Sequence, residues 1–194
     1  MRALVVYCHP NPESLVAAAR DRAIAGLEAA GHEVRLTDLY ADGFDPTMTA
    51  TERITHKEPG VTDDLWHYAD DLAWAEALVL VYPTWWSGQP AMLKGWIDRV
   101  WVAGVAWKME DADATPTPLL RDVRRIVVVT THGSSKLINA MEGESGKRTV
   151  TRSIRAMCSR RTRTTWCALY GIDTTDEAKR VAFLDRVERT LTRL

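Results

Sequence analysis

The chain has few cysteines and no long apolar segment. Its three cysteines lie far apart, at Cys8, Cys158 and Cys167, so we expect neither a disulfide framework nor a metal site built on closely spaced thiols. No apolar run approaches the roughly 20 residues that a membrane-spanning helix needs. The first residues pass directly into polar sequence, without the apolar core of a secretory signal. These absences predict a cytoplasmic protein that is not inserted into a membrane.

The composition is that of a folded domain. The chain has 194 residues, 46% of them apolar and 26% charged, with a net charge of −1. Disorder of the whole chain is excluded, because disordered chains combine low apolar content with a high net charge. The length predicts a single domain over residues 1–194 that buries roughly two-thirds of the surface of its unfolded chain.

Positive charge is concentrated in the last third of the sequence. Residues 1–120 carry 9 basic and 18 acidic side chains, whereas residues 121–194 carry 16 and 8. No acidic residue lies between Glu144 and Asp173. Such a segment could bind a nucleic acid, a phosphate-bearing cofactor or an acidic partner, and a solvated helix face explains it equally well. The one adjoining aromatic residue, Trp166, does not make a stacking platform, so we expect no nucleic-acid partner.

Predicted strands and helices alternate along the chain. Short apolar runs predict five strands, at residues 3–8, 33–39, 77–82, 125–130 and 164–170. Helical spacing of apolar residues predicts helices at residues 15–30, 63–74, 91–102 and 149–158, and from residue 175 onward. Residues 40–62 and 103–120 are expected to be irregular. This alternation predicts an α/β fold with a doubly wound, five-stranded parallel sheet and helices on both faces.

In such a sheet ligands bind beyond the carboxyl ends of the strands. The first loop there runs from His9 to Ser14 and leads into a helix N-terminus, where free amides favour a phosphate. An ordinary capped turn would have the same sequence. No GxxxxGK[ST] or GxGxxG pattern is present, which argues against a nucleoside triphosphate site and a Rossmann nicotinamide site.

The loop after the third strand gives the strongest functional signal. Trp85 and Trp86 are adjacent and follow the strand directly, so at least one of them should line a surface rather than the core. Such a wall would hold a planar aromatic ligand, although packing under the loop or in a subunit interface would also use two tryptophans. The loop after the fourth strand, residues 130–135, offers amides and hydroxyls, and Gly133 permits close approach of a ligand.

From Tyr82 to Trp101 the sequence resembles the central signature of the flavodoxin-like NAD(P)H:quinone reductases, which are DT-diaphorase-like enzymes. Residues 104–107, the His9–Ser14 loop, residues 38–40 and residues 130–133 match the same family in order, so the resemblance covers nearly the whole chain. It implies a flavodoxin-like fold. It also implies a flavin-dependent oxidoreductase that passes a hydride from NADPH or NADH to a quinone or a similar two-electron acceptor.

The resemblance also implies site residues. Those matching the family's phosphate-binding segment are His9, Ser14, Leu15 and Ala17. Those matching the loop that holds one edge and face of the isoalloxazine ring are Pro83, Thr84, Trp85, Trp86 and Ser87. Those matching the loop at the pyrimidine side of the flavin are Thr130, Thr131, His132 and Gly133. No metal is implied.

The sequence departs from the family at several positions. The tyrosine and histidine that relay charge in mammalian members are missing near residues 137–138 and 145. His132 stands where those members have glycine, so it could take over a donor role, as the candidate catalytic side chain, or crowd the pocket. Val16 stands where an asparagine is usual, so FAD and FMN both stay open, with FAD ahead. The family also implies a homodimer, because its pockets are completed across a two-fold interface.

Two other functions use the same fold. One is a flavin-binding regulatory subunit that docks to a membrane transport system. The other is a flavodoxin-type electron carrier, which is usually strongly acidic and has a Ser/Thr-rich phosphate loop. Neither carrier feature is present in this sequence, so the enzyme is the preferred interpretation.

Overall fold

A five-stranded parallel sheet forms the centre of the protein, seen here in a computed structural model that describes residues 1–111 and 115–194. Its helices and strands follow one another as β1 (Arg2–Tyr7), α1 (Leu15–Ala29), β2 (Glu33–Asp38), α2 (Ala50–Ile54), α3 (Trp66–Trp74), β3 (Ala77–Thr84), α4 (Ala91–Val100), β4 (Trp107–Lys108), β5 (Thr117–Pro118), β6 (Arg125–His132), α5 (Lys136–Met141), α6 (Ser145–Arg148), β7 (Arg163–Tyr170) and α7 (Glu177–Thr192). Short 3₁₀ turns cover Asp63–Leu65 and Ile172–Thr174.

The strand order in the main sheet is β2-β1-β3-β6-β7, and every neighbouring pair is parallel. The order reverses between β1 and β3, which is the switch point where open α/β sheets bind ligands. The predicted doubly wound, five-stranded fold is therefore confirmed. A separate pair of short strands, β4 and β5, was not predicted.

The two central strands are longer than the sequence predicted. Strand β3 does not stop at Pro83 but continues to Thr84, and β6 continues to His132. Strand β1 ends at Tyr7, opposite Val81, so beyond that point β3 has one neighbouring strand. A proline is tolerated there because its nitrogen, which has no hydrogen, can face the side without an acceptor.

Two apolar layers cover the sheet, one on each face. Alternate residues of β1 point to opposite faces, so Leu4 and Val6 pack in the layer with α3 and α4, whereas Ala3 and Val5 pack in the layer with α1 and α7. At Gly26 the backbones of α1 and α7 come so close that a Cβ would lie 2.6 Å from the Glu188 carbonyl oxygen. The layers hold the carboxyl ends of the strands in fixed positions.

The segment between β2 and α3 is less irregular than predicted, since it contains α2. Thr49 and Glu52 form a capping box at the start of this helix. The buried Arg99 of α4 anchors the segment, because its Nε donates to Glu52 Oε1 at 2.8 Å and its Nη1 donates to the Asp45 carbonyl at 2.5 Å. Its Nη2 also lies 3.3 Å from Asp64 Oδ2.

The other predicted irregular segment and the fourth predicted helix also differ in detail. Within residues 103–120 the structure shows the β4–β5 pair, and residues 112–114 of that segment lie outside the described part of the chain. A helix does lie near residues 149–158, but Thr149–Ile154 forms a π-helix rather than an α-helix. Among the residues described, no helix combines the length and apolarity that crossing a membrane requires.

Candidate functional site

A cleft of about 590 Å³ opens at the carboxyl ends of β1, β3 and β6, where the strand order reverses. We call it the strand-end cleft. Pockets for small organic molecules have volumes of this size. It is lined by His9, Ser14, Leu15, Val16, Pro83, Thr84, Trp85, Trp86, Thr131, Gly133, Ser134, Ile172 and Asp173.

One end of the strand-end cleft is the N-terminus of α1. Ser14 caps this helix, because its Oγ accepts a hydrogen bond from the Ala17 amide at 3.1 Å. The amides of Leu15 and Val16 belong to the first turn, where a helix offers no acceptor of its own. These amides and the positive end of the helix dipole favour an anion such as a phosphate.

His9 adds a further polar side chain at the same end. Its Nδ1 lies 3.0 Å from both the amide nitrogen and the carbonyl oxygen of Asn11. The His9 ring lies with its centroid 6.5 Å from that of Trp85, which places it between the helix terminus and the aromatic loop. The donor set of this end therefore fits the phosphate of a bound nucleotide.

The aromatic loop between β3 and α4 is a tight turn in a strained conformation. Trp85 and Gly88 exchange two backbone hydrogen bonds, of 3.2 and 3.0 Å. The two residues at the tip, Trp86 and Ser87, have φ angles of +50° and +58°. For non-glycine residues this left-handed region costs roughly 1–2 kcal/mol each. The turn presents Trp86 with 99% of its surface exposed and Trp85 with 44% exposed.

A distant segment, residues 142–146, holds this turn in place, and we call it the clamp. The amide of Gly146 and the hydroxyl of Ser145 both donate to the Ser87 carbonyl oxygen, at 2.7 and 2.8 Å. Ser87 Oγ donates to Glu142, and Gln89 Nε2 donates to the Gly146 carbonyl at 2.9 Å. These contacts offset the strain of the turn.

A glycine lies where the clamp comes closest to the turn. A Cβ at position 146 would lie 3.0 Å from both Gly88 Cα and the Ser87 carbonyl oxygen. Because these are backbone atoms, they cannot rotate away. Gly146 therefore allows the clamp and the turn to lie backbone against backbone.

Behind the cleft wall, His132 and Thr130 are buried and connect to the lining through Thr84. Thr84 Oγ1 lies 2.9 Å from Thr130 Oγ1 and 3.5 Å from His132 Nε2. His132 Nδ1 lies 2.8 Å from Asn139 Oδ1, and the Asn139 amide nitrogen donates to the carbonyls of Ser134 and Ser135. Asn139 therefore presents its oxygen to Nδ1, which must carry the proton.

Burial lowers the pKa of His132 below its ordinary value, while the Asn139 hydrogen bond opposes this shift. The ring is 7% exposed and stacks on Tyr170 with a centroid distance of 4.5 Å. The neutral ring therefore has an unprotonated Nε2 directed toward the Thr84 hydroxyl, and His132 contacts the cleft through Thr84.

The structure brings most of the predicted site residues together around the strand-end cleft. Those that line it are His9, Ser14, Leu15, Pro83, Thr84, Trp85, Trp86, Thr131 and Gly133. Four predicted residues lie outside the lining: Ala17 in the first turn of α1, Ser87 at the clamp contact, and Thr130 and His132 behind Thr84.

Four lining residues were not predicted. Val16 lies between the predicted residues Leu15 and Ala17, and Ser134 lies in the loop of residues 130–135 that the sequence indicated. Ile172 and Asp173 follow β7, the fifth strand. The rule that ligands bind at the carboxyl ends of the strands applies to this loop as well, and it was the signal that could have found them.

Comparison with known proteins gives a consistent result. A family profile described as having a flavodoxin-like fold matches residues 1–191. A Streptococcus mutans protein of solved structure superposes with a TM-score of 0.87 and 28% identity, covering 100% of both chains. The structure of an NAD(P)H:quinone oxidoreductase from Methanothermobacter marburgensis superposes with a TM-score of 0.84 and 25% identity, covering 99% of this chain and 98% of that one.

A curated relative is similar over part of its length. A ribosyldihydronicotinamide dehydrogenase-like protein of Penicillium crustosum is 33% identical over 120 residues, which are 54% of this chain and 45% of the relative. The chain spans about half the length of the curated relatives it matches.

Proposed function

The chain belongs to the flavodoxin-like fold family that includes NAD(P)H:quinone reductases, and from this premise we propose a flavin-dependent NAD(P)H oxidoreductase that reduces a quinone or a similar two-electron acceptor. The observation that carries the proposal is the strand-end cleft, which has a phosphate-binding helix terminus at one end and an aromatic wall beside it. The bound flavin would accept a hydride from the nicotinamide and pass two electrons to the acceptor.

The protein's own residues hold and orient the cofactor. The amides of Leu15 and Val16, the Ser14 hydroxyl and the His9 side chain would bind the phosphate, and the Ala17 amide supports this end by fixing the Ser14 side chain. This arrangement is supported by the absence of intrahelical acceptors for the first-turn amides.

The aromatic turn and the loop after β6 would hold the ring system. Trp85, Trp86 and Pro83 would pack on it and exclude water, and Ser87 keeps the turn attached to the clamp. Thr131 and Gly133 would offer it polar contacts.

His132 acts through another side chain rather than on the substrate itself. Its Nε2 accepts a hydrogen bond from the Thr84 hydroxyl, which receives one from Thr130, and these contacts fix the orientation of that hydroxyl in the cleft wall. We keep the catalytic assignment of His132 as a prediction, in which the ring takes up a proton through Thr84.

We propose FAD ahead of FMN as the flavin, on the family resemblance, with either NADPH or NADH as the electron donor. We also propose one flavin-binding domain over residues 1–194, a cytoplasmic location and a homodimer. The dimer is supported by α5, which begins at the cleft rim and exposes Leu137, Ile138 and Met141. A second copy packed there would cover this apolar surface.

The test is an absorbance spectrum of the protein after reconstitution with FAD or FMN, followed by anaerobic addition of NADPH or NADH. We expect flavin bands that bleach within the mixing time and return when a quinone is added. Flavin that binds but does not bleach would overturn the enzymatic proposal, and failure to bind either flavin would overturn the site.

A pair of tryptophan variants sharpens this test. Trp86→Ala should weaken flavin retention, because the side chain forms one wall of the cleft. Trp66→Ala removes another exposed tryptophan, at the start of α3 and outside the lining, so it should leave flavin retention unchanged. Equal flavin content in the two variants would contradict the assigned role of the turn.

A further inference from the structure

A second cleft, of about 530 Å³, opens beside the starts of β6 and β7. Four arginines line it, Arg121, Arg124, Arg160 and Arg161, together with Ser159, and we call it the arginine cleft. It lies at the amino ends of these strands, whereas the strand-end cleft lies at the carboxyl ends, and the eight residues of β6 separate the two clefts. That strand length corresponds to roughly 25 Å.

Two chain segments form the arginine cleft, and buried contacts fix them against each other. The Leu120 amide donates to the Met157 carbonyl at 3.2 Å, and the Arg163 amide donates to the Arg124 carbonyl at 3.1 Å. The buried Thr162 hydroxyl donates to the Val123 carbonyl at 2.7 Å. The two segments that carry the four arginines are therefore held against each other by the fold.

In the described part of the chain the four cleft arginines have no carboxylate partner, unlike the arginines that form ion pairs. Arg22, Arg35 and Arg99 each contact a carboxylate oxygen at 2.5–2.8 Å. Within residues 1–111 and 115–194, none of the four cleft arginines lies within 4.0 Å of a carboxylate. Their mutual repulsion is thus left for an external anion to relieve.

The chemistry of the lining selects the anion. A guanidinium group binds phosphate through two parallel hydrogen bonds. Ser159 Oγ accepts hydrogen bonds from Arg124 Nη1 at 3.3 Å and from the Arg161 amide at 3.2 Å, so its own proton is available to a ligand. Four positive charges around a concave volume match an anion with several negative charges. We propose that the arginine cleft binds a small molecule carrying two or more phosphate groups.

Isothermal titration calorimetry with pyrophosphate tests this proposal on the full chain, with and without flavin. The cleft variant is Arg160→Gln/Arg161→Gln. The matched control is Arg152→Gln/Arg189→Gln, which loses the same charge at exposed arginines outside the cleft. With flavin bound at the strand-end cleft, we expect one saturable site that the cleft variant weakens about tenfold or more, since hydrogen bonds to charged groups are lost. The control should bind as the unaltered protein does, and orthophosphate should bind more weakly than pyrophosphate.

Three outcomes would overturn the proposal: no saturable binding, an equal loss in both double variants, or binding of a single-stranded oligonucleotide that displaces pyrophosphate and depends on the control arginines.

Titration with ADP identifies the source of the phosphates. Binding as tight as that of pyrophosphate and equally sensitive to the cleft variant supports a nucleoside diphosphate, whereas binding of pyrophosphate alone supports the inorganic anion. Because the readout is binding far from the flavin, its result is independent of NADPH oxidation.

Discussion

Two loops meet at the strand-end cleft, and different parts of the chain determine their shapes. The loop between β1 and α1 is built from its own residues: Pro10 and Pro12 restrict its backbone, the Asn11 side chain accepts from the Glu13 amide at 2.9 Å, and Ser14 caps the helix. The loop between β3 and α4 contains two residues with positive φ and depends on the clamp, whose Glu142 lies 55 residues from Ser87.

The difference shows how the two halves of one binding site are specified. A locally determined loop keeps its shape whenever the neighbouring strand and helix form. The strained loop is held in its shape by contacts with the clamp. The aromatic side of the cleft is therefore the side that mutations elsewhere in the chain can disturb.

The largest effect is expected at the clamp. Gly146→Val places a side chain against Gly88 Cα and the Ser87 carbonyl. We expect the free energy of unfolding to fall by about 1–3 kcal/mol, as for other overpacked positions, and flavin affinity to fall with it. Urea unfolding and a flavin titration measure the two effects. Ser145→Ala removes one hydrogen bond to Ser87 without adding bulk, so it should lower the free energy of unfolding by less. An unfolding midpoint unchanged by Gly146→Val would show that the clamp is not packed on the turn.

The local loop should respond more modestly. Ser14→Ala removes the cap of α1, and we expect a loss of about 1 kcal/mol. Ser14→Thr keeps the hydroxyl and should restore most of this stability. Combined with Gly146→Val the losses should add, because the two sites share no partner. A strongly non-additive double variant would mean that the two loops are not independent.

An effect of the opposite sign is expected at the tip of the strained turn. Trp86→Gly relieves the left-handed backbone without loss of packing, because the tryptophan side chain is exposed. We expect this variant to be more stable than Trp86→Ala by about 1 kcal/mol, although both lose the aromatic wall and retain flavin poorly. Thermal unfolding of the two variants side by side provides the measurement. Equal stability would indicate that the turn is not held in the left-handed region.

The smallest effect concerns His132, whose contact with Asn139 fixes the start of α5 just before the clamp. Burial lowers the pKa of His132 in the folded protein below the ordinary value of 6.5. Above that pH both states are neutral. As the pH falls below it, the unfolded chain takes up the proton first, so His132 makes unfolding easier in acid. His132→Gln should flatten the decline in urea stability between about pH 7 and pH 5, and an unaltered slope in this variant would contradict the burial of the ring.

The sequence predicted the fold well because parallel strands buried on both faces are read directly from apolar runs such as residues 77–82. It also predicted the Ser14 cap, whose signal lies within a few residues. It did not predict the extension of β3 through Pro83, because that depends on where β1 ends in space. The dependence of Ser87 on Gly146 could not be read from local patterns, and neither could the position of His132 behind Thr84, since both are set by tertiary contacts.

The Arg99 anchor has a consequence for the order of folding. Its contacts with Glu52 and Asp45 close chain segments of 47 and 54 residues, and closing segments of this length costs entropy that must be spent before the contacts are made. Helix α4 follows β3, so Arg99 reaches its place once that helix docks on the sheet. The position of residues 41–65 therefore depends on a helix that comes later in the chain, and loss of the Arg99 contacts would leave this stretch more accessible to a protease.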